Sequence, residues 1–430
     1  MRDVYNLKAM LCLNLFSLHV YAAPAIEFDF DDAPDTDRVL TSAAKWGMAL
    51  NVNAESRRNY DLDSAVKDRL AYLEPEFRVA LSYAPPGAGW QGFVEMEVAG
   101  KHVISDQAGG EENNSDLRLR QGYLLVPDMG HGFALQLGRQ SFKDARSWWY
   151  DEKMDAVRVY WRQDRVGLEV AYARERALPE DLLDPQTREK NDYTIMAAHY
   201  ALTRKATLSA IVVDRNDRES AKNEDPTLFG LQLDGEVGKD FRYWGNAARV
   251  SGQAKGKKLR GYGGDIGMAW RLDAPFKPYF GLGAAWGSGD TQGGDPTDRH
   301  FRQTDVHENK GKLFGLTRYN YYGEVFDPEL TNMRILTLVV GCMPTPNLSL
   351  DLVYHDYRQN ALDDDLFDSD VDMDPDGDHR ALGREIDLVA GYRFNANTRM
   401  KLVLGAFRPG RAFPGANSAF LLKLEMGWRF

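Results

Sequence analysis

The chain has 430 residues, 27% of them charged, with a formal net charge of −11 and a mean hydropathy of −0.49. That acidic balance argues against a nucleic-acid partner, and no stretch beyond the amino-terminal leader approaches the roughly 18 unbroken apolar residues of a spanning helix. Cys12 and Cys342 are the only cysteines, and the first lies in that leader, so no internal disulfide is expected.

Residues 1–22 read as a secretory signal. Arg2 and Lys8 supply positive charge, Ala9 to Val20 an apolar run, and Val20-Tyr21-Ala22 a small-residue cleavage site. Leu11 before Cys12 argues against lipoprotein processing. Residues 23–430 are then the mature body.

From Lys45 onward one pattern repeats: an alternating segment, a connection, another alternating segment. Successive side chains of a strand point to opposite faces, so each segment has an apolar wall and a polar wall. Trp46, Met48, Leu50 and Val52 are set outward against Ala49, Asn51 and Glu55. Phe77, Val79 and Leu81 oppose Glu76 and Arg78, and Val94, Met96 and Val98 oppose Glu95 and Glu97. Leu117, Leu119, Tyr123 and Leu125 are set outward against Arg118 and Arg120, and Val157, Val159 and Trp161 against Arg158 and Arg162. Phe229 and Leu231 oppose Gln232 and Asp234, Met268 and Trp270 oppose Asp265 and Arg271, and Leu350 and Leu352 oppose Asp351 and His355. Leu388 and Phe394 oppose Asp387 and Arg393, and Leu402 and Leu404 oppose Arg399 and Lys401. The last eleven residues repeat the design, with Phe420, Leu422, Leu424, Met426, Trp428 and Phe430 on one face and Lys423, Glu425 and Arg429 on the other.

Short connections, near Pro85–Gly89, Pro127–Gly130 and Asn395–Asn397 for example, alternate with long ones, of which Gly287–Leu330 and Arg358–Gly383 are the largest. A membrane protein without spanning helices has to close its backbone hydrogen bonds in a barrel. The pattern therefore predicts an all-β fold, a transmembrane antiparallel up-and-down β-barrel of about 18 strands with short periplasmic turns and long extracellular loops, set in a bacterial outer membrane. Lys312–Tyr322 is read as a loop able to dip into the lumen.

The densest constellation is Leu137-Gly-Arg-Gln-Ser-Phe142, then Ser147-Trp-Trp-Tyr-Asp-Glu152, then Met154-Asp-Ala-Val-Arg-Val159. In Gly138-Arg139-Gln140, in the Trp149 and Asp151 pair after a short loop, and in Asp155-Ala156-Val157-Arg158, the chain resembles the alginate-export family of outer-membrane channels. The resemblance implies an 18-stranded barrel with an arginine-rich lumen that passes an anionic uronate polysaccharide outward. It implies Arg139 and Arg158 as constriction residues, with Arg118 and Arg120 as basic lumen residues beside them. The loop here, Trp-Trp-Tyr-Asp-Glu, is more aromatic and acidic than the resemblance leads one to expect.

A guanidinium offers a planar fork of donors that fits a carboxylate at two points and stays charged at any relevant pH, and a ring of them gives a pore anion preference. Arg78, Arg118, Arg120, Arg158, Arg162, Arg249, Arg271 and Arg393 are assigned to the inward face. Arg139 reaches it only if a bulge at Gly138 breaks the alternation. Acidic residues assigned inward, Asp155 among them, would pair with some of these arginines, and for any single arginine filling the lumen is an equal reading.

In the acidic run Asp368–Asp378, Asp372-Met-Asp-Pro-Asp-Gly377 matches the first half of an EF-hand loop, making Asp372, Asp374 and Asp376 candidate Ca²⁺ ligands. Gly383 stands where that motif needs glutamate, so a solvated loop is the favoured reading. No cofactor and no catalytic residue is expected. The functional reading is a non-enzymatic channel for an anionic polysaccharide, in contact with lipid and supplied by periplasmic export proteins. The alternatives are a porin selective for small carboxylates and a barrel enzyme of the outer-membrane phospholipase type, for which His199 is a candidate lacking an identified serine.

Overall fold

The computed structural model describes residues 33–179, 181–184, 191–217, 224–291 and 294–430. The leader assigned to residues 1–22 lies outside them. Eighteen long strands make the barrel: β1 (Ala44–Arg58), β2 (Leu70–Tyr83), β3 (Gln91–Asp106), β4 (Asn114–Val126), β5 (Phe133–Lys143), β6 (Asp151–Gln163), β7 (Val166–Arg174), β8 (Asn191–Thr203), β9 (Ala206–Asp217), β10 (Glu224–Val237), β11 (Phe241–Ala254), β12 (Tyr262–Arg271), β13 (Tyr279–Gly287), β14 (Met333–Thr345), β15 (Leu348–Gln359), β16 (Ala381–Asn395), β17 (Thr398–Pro409) and β18 (Ala419–Arg429). Each pairs antiparallel with its neighbours in sequence. The sheet closes where β1 pairs with β18, Leu50 opposite Trp428 and Glu55 opposite Lys423. Closure leaves the sheet without a free edge strand.

The alternation read from the sequence is the alternation of the wall. Phe229, Leu231, Ile266, Val340 and Ile386 stand on the outside, each more than half exposed, while Gln232, Asp265 and Asp387 on the same strands are buried inside. Aromatic rings gather at the outward strand feet, with Tyr392 against Phe394 at 4.7 Å and Tyr83 against Trp90 at 5.8 Å. They form the aromatic band expected where an apolar wall meets a membrane surface.

Two facings on β4 and β11 differ from expectation, and a third, at Asp155, belongs with the site below. Between β3 and β4 the register slips, since Met96 is opposite Leu119 but Glu95 is opposite Gln121. Arg120 is the extra residue of this bulge, and it turns Tyr123 and Leu125 inward, where they pack with Ala80 and Phe93. A one-residue slip moves every later side chain to the other face. Arg249 is the second correction. It stands outward, opposite Phe229 and Tyr262, because the inward set of β11 is Trp244, Asn246, Ala248 and Val250.

The core of the molecule is its lumen. Residues 144–150, between β5 and β6, and residues 294–332, before β14, are turned into the barrel and supply Trp148, Trp149, Phe301, Phe314, Tyr322 and Phe326 to the buried set. The expectation that Lys312–Tyr322 enters the lumen is met.

Candidate functional site in the barrel lumen

Asp144 closes the tip of the β5–β6 hairpin. Its carboxylate accepts backbone N–H bonds from Arg146 at 3.0 Å, Trp148 at 3.0 Å and Trp149 at 2.8 Å, the local geometry that aspartate favours in turns. Both tryptophans then reach deep into the barrel. Trp148 Nε1 donates to Tyr322 Oη and Trp149 Nε1 to Asn246 Oδ1 on β11, each at 3.1 Å. Arg146 lies between the rings of Trp244 and Tyr321, at 4.0 and 3.6 Å from their centroids, and donates to Asp265 of β12 at 3.1 Å. A guanidinium held between two rings and a carboxylate combines cation–π attraction with a charged hydrogen bond.

The segment 294–332 is tied to the wall at β11 and at β15 to β17. The Arg242 guanidinium donates to the Leu313 carbonyl, and the Leu316 N–H donates to Ser349 Oγ at 2.9 Å. Glu385 of β16 accepts the N–H groups of Val325 and Phe326 at 2.8 and 2.9 Å, while Tyr357 Oη donates to the Tyr322 carbonyl at 2.7 Å. Phe326 stacks on Phe407 of β17, centroids 4.7 Å apart. The two inserts also hold each other, through Asp151 N–H to the Val306 carbonyl at 2.7 Å and Arg318 to Asp151 at 3.2 Å. Towards the outer mouth, His300 is hydrogen-bonded to Asp298 at 2.8 Å and to Asp363 of the 360–380 loop at 3.2 Å. Burial alone would push its pKa down, but the two carboxylates outweigh that and raise it above 6.5.

Most lumenal arginines assigned from the sequence are inward and matched by carboxylates. Glu97 alone is met by Arg78 and Arg120, both at 2.7 Å, and by Arg118 at 3.5 Å. Arg158 pairs with Glu169 at 2.8 Å and lies over Phe142, and Arg271 pairs with Asp240 at 2.9 Å. Arg162 occupies an inward register position at the foot of β6. Arg393 sits directly opposite Arg399 at the feet of β16 and β17, and among the described residues its buried Nε has no hydrogen-bond partner. Sequence reading missed Arg146, Arg242 and Arg318, the first and last because they lie on inserts with no alternation to place them.

Arg139 and Asp155 are opposite each other in a register that runs unbroken from Phe133 to Lys143, so the expected bulge at Gly138 is absent despite its φ of 110°. Both take the side of the hairpin opposite to Gln136, Phe142 and Arg158, so Asp155 does not reach the lumen wall by alternation as expected. Above the Gly122–Arg139 pair β5 leaves β4, and the chain after β7 takes its place, with Leu182 N–H bonded to the Leu117 carbonyl and Asp181 bridged to Arg118. Arg139 is held under this strap by Asp155 at 2.8 Å and the carbonyls of Leu119 at 2.9 Å and Leu178 at 2.6 Å. With Arg120, Arg176, Lys153 and Lys310 it lines a polar cavity of about 200 Å³.

Asp372, Asp374 and Asp376 do not converge. Asp376 bonds to His379 at 2.7 Å, Asp374 accepts the Leu366 N–H, and among the described residues no three acidic or histidine side chains are grouped as metal ligands. His199 does have a serine partner, Ser209 Oγ at 2.8 Å from Nδ1, but both stand on the inward face, away from lipid.

A family model described as alginate export matches residues 43–421. The chain is 22% identical to the alginate production protein AlgE of Pseudomonas aeruginosa over 97% of its own length and 96% of that protein's. It is 27% identical to AlgE of Azotobacter vinelandii over 39% of this chain and 38% of that one. Among solved structures it resembles Pseudomonas aeruginosa OccK5 (OpdH), with a TM-score of 0.61 at 10% identity covering 91% of this chain and 99% of that one. Acinetobacter baumannii OccAB3 gives a TM-score of 0.60 at 10% identity, covering 91% of this chain and all of the other. The closed barrel and its apolar outer wall place the chain in the outer membrane, and the family match spans that barrel from its first strand to its last: the chain belongs to the alginate export family.

Proposed function

We propose that the barrel is a passive channel for an anionic, uronate-type polysaccharide such as alginate, moving from the periplasm to the outside. The observation that carries this reading is the positive charge at the inner foot of the wall. Arg393 faces Arg399 across neighbouring strands, and among the described residues Arg393 has no carboxylate partner. Arg162, Arg242 and Arg271 stand at the same level on β6, β11 and β12, with Arg242 paired to Glu236 and Arg271 to Asp240, each at 2.9 Å. A chain carrying one carboxylate per sugar meets guanidinium forks as it enters. Arg242, Arg271 and the arginines higher in the lumen are matched by acids, so a polyanion that enters past Arg393 exchanges partners along the wall instead of binding once and staying. The barrel has no energy source of its own, and periplasmic proteins are the implied suppliers of polymer. The Ser209–His199 pair faces the lumen, which favours a channel over a lipid-facing enzyme.

The test is reversal potential in a salt gradient across a planar bilayer holding the purified barrel, with and without oligouronates. Anion preference and block by oligouronates, both weakened in an Arg393→Ala, Arg399→Ala double variant, are the expected results. Cation preference would remove the polysaccharide reading in favour of a cation-selective pore, and equal block by a small carboxylate at the same carboxylate concentration would remove it in favour of a small-carboxylate porin.

A further inference from the structure

The outward faces of β14 to β17 carry one exposed arginine each near the outer mouth: Arg334, Arg358, Arg384 and Arg408. They are in register. Arg334 is directly opposite Arg358, and Arg384 directly opposite Arg408. Like charges directly opposite on one face of a sheet repel, and two such pairs side by side need anions. Among the described residues the acid bonded to them is Asp356, which accepts from Arg358 Nε at 2.9 Å and Arg384 Nε at 3.3 Å. Arg334 donates to Asn360 at 2.7 Å, a neutral partner. The Arg358 and Arg384 side chains remain 62% and 66% exposed, so one carboxylate leaves most of this charge turned outward.

Position decides what the anion is. The stripe is on the lipid side of the wall, outside the path of anything crossing the lumen. Further down the same outward faces come Leu336, Leu352, Ile386 and Leu404, all exposed. Trp286, opposite Arg334, flanks it on one side, and Phe420 flanks it on the other. This is the level at which headgroups of the outer leaflet meet the barrel. Arginines directly opposite on adjacent strands, their Cα atoms about 5 Å apart, can bring two guanidinia to one phosphate and bind its oxygens at two points.

We propose that this stripe binds the phosphorylated headgroup of an outer-leaflet lipid, whose acyl chains run down the apolar wall of β14 to β17. The site is independent of what the lumen carries. It is tested by native mass spectrometry of the full barrel in detergent, titrated with diphosphorylated lipid A and, separately, with phosphatidylethanolamine. The wild type retains lipid A in preference, and combined Arg334→Gln, Arg358→Gln, Arg384→Gln and Arg408→Gln lowers retention by about tenfold or more, the loss of at least one charged contact. The matching lysine variant keeps most of it, and Arg249→Gln, an outward arginine elsewhere on the wall, changes nothing. If the fourfold glutamine variant does not fold, Arg358→Gln alone, at an exposed position, carries the comparison. Equal retention by glutamine variant and wild type, no preference over phosphatidylethanolamine, or displacement by millimolar inorganic phosphate would each overturn the proposal, the last by showing a simple anion site.

Discussion

Arg146, at the tip of the β5–β6 hairpin, reaches Asp265 on β12 and forms a buried ion pair of 3.1 Å. Trp244 Nε1 at 2.8 Å and Tyr322 Oη at 3.1 Å donate to the same carboxylate, so one aspartate joins the hairpin, the wall and the long insert. Removing one partner of a buried pair leaves the other charge without its counterion, at a cost of about 3–5 kcal/mol. Because Asp265 keeps two neutral donors, Arg146→Ala is expected at the lower end of that range. Unfolding followed by heat-modified gel mobility measures it, and a change below about 1 kcal/mol, the size of an exposed pair, would show that the hairpin is held by packing alone.

Glu385 holds the long insert by two backbone N–H groups. Glu385→Gln keeps one acceptor oxygen and loses the charge, weakening an anchor in which each charged hydrogen bond contributes about 1.5–3 kcal/mol. Single-channel recordings of this variant are expected to show larger or noisier conductance than the wild type. Unchanged traces would mean that Phe326 on Phe407 is anchor enough.

Arg139→Ala releases the strap after β7. The carbonyls of Leu119 and Leu178 lose their shared donor, and Asp155 keeps only the Leu178 N–H at 3.0 Å. Limited proteolysis between residues 175 and 184 is expected to accelerate by about tenfold or more, the loss of one to two charged hydrogen bonds. The β-barrel itself remains protected. A strap cut at the wild-type rate would show that the Leu182–Leu117 pairing secures it.

His300 bridges two outer loops, with Arg302 bonded to Asp298 at 2.8 Å and Phe367 packed on the imidazole. Its pKa is raised in the folded protein, so the bridge contributes fully below the ordinary histidine value of 6.5 and is lost as pH rises through the raised value. Hydrogen exchange in residues 298–302 and 360–367 is expected to be slow at pH 6 and faster at pH 9, beyond the intrinsic rise in rate. His300→Gln flattens that difference. A pH-independent protection factor would contradict the bridge.

The wall was legible because a barrel strand has two solvents, and each demands its own residue type at period two. Phe229 to Leu233 and Phe420 to Phe430 show this directly, and short turns alternating with long loops supplied direction. Alternation failed where the backbone changes phase without a change in residue type. Nothing in Arg118-Leu-Arg-Gln-Gly-Tyr123 marks Arg120 as a bulge, so Tyr123 and Leu125 were set on the wrong face. Arg249 was misplaced because a charge outside the barrel is unusual. At Gly138 the positive φ was there to be suspected, but not the departure of β5 from β4. The lumenal contacts of Arg146, Trp148 and Phe326 join segments more than fifty residues apart, and no local pattern encodes them.

The most direct test of the channel reading is release of oligomers from proteoliposomes. Vesicles holding the purified barrel are loaded with fluorescently labelled oligouronates or neutral oligosaccharides of equal length, and efflux is followed after removal of external label. The account predicts faster efflux of the uronates, slowed by Arg393→Ala with Arg399→Ala while neutral efflux stays as it was. Equal efflux of the two polymers, or a uronate rate untouched by losing both arginines, would contradict it.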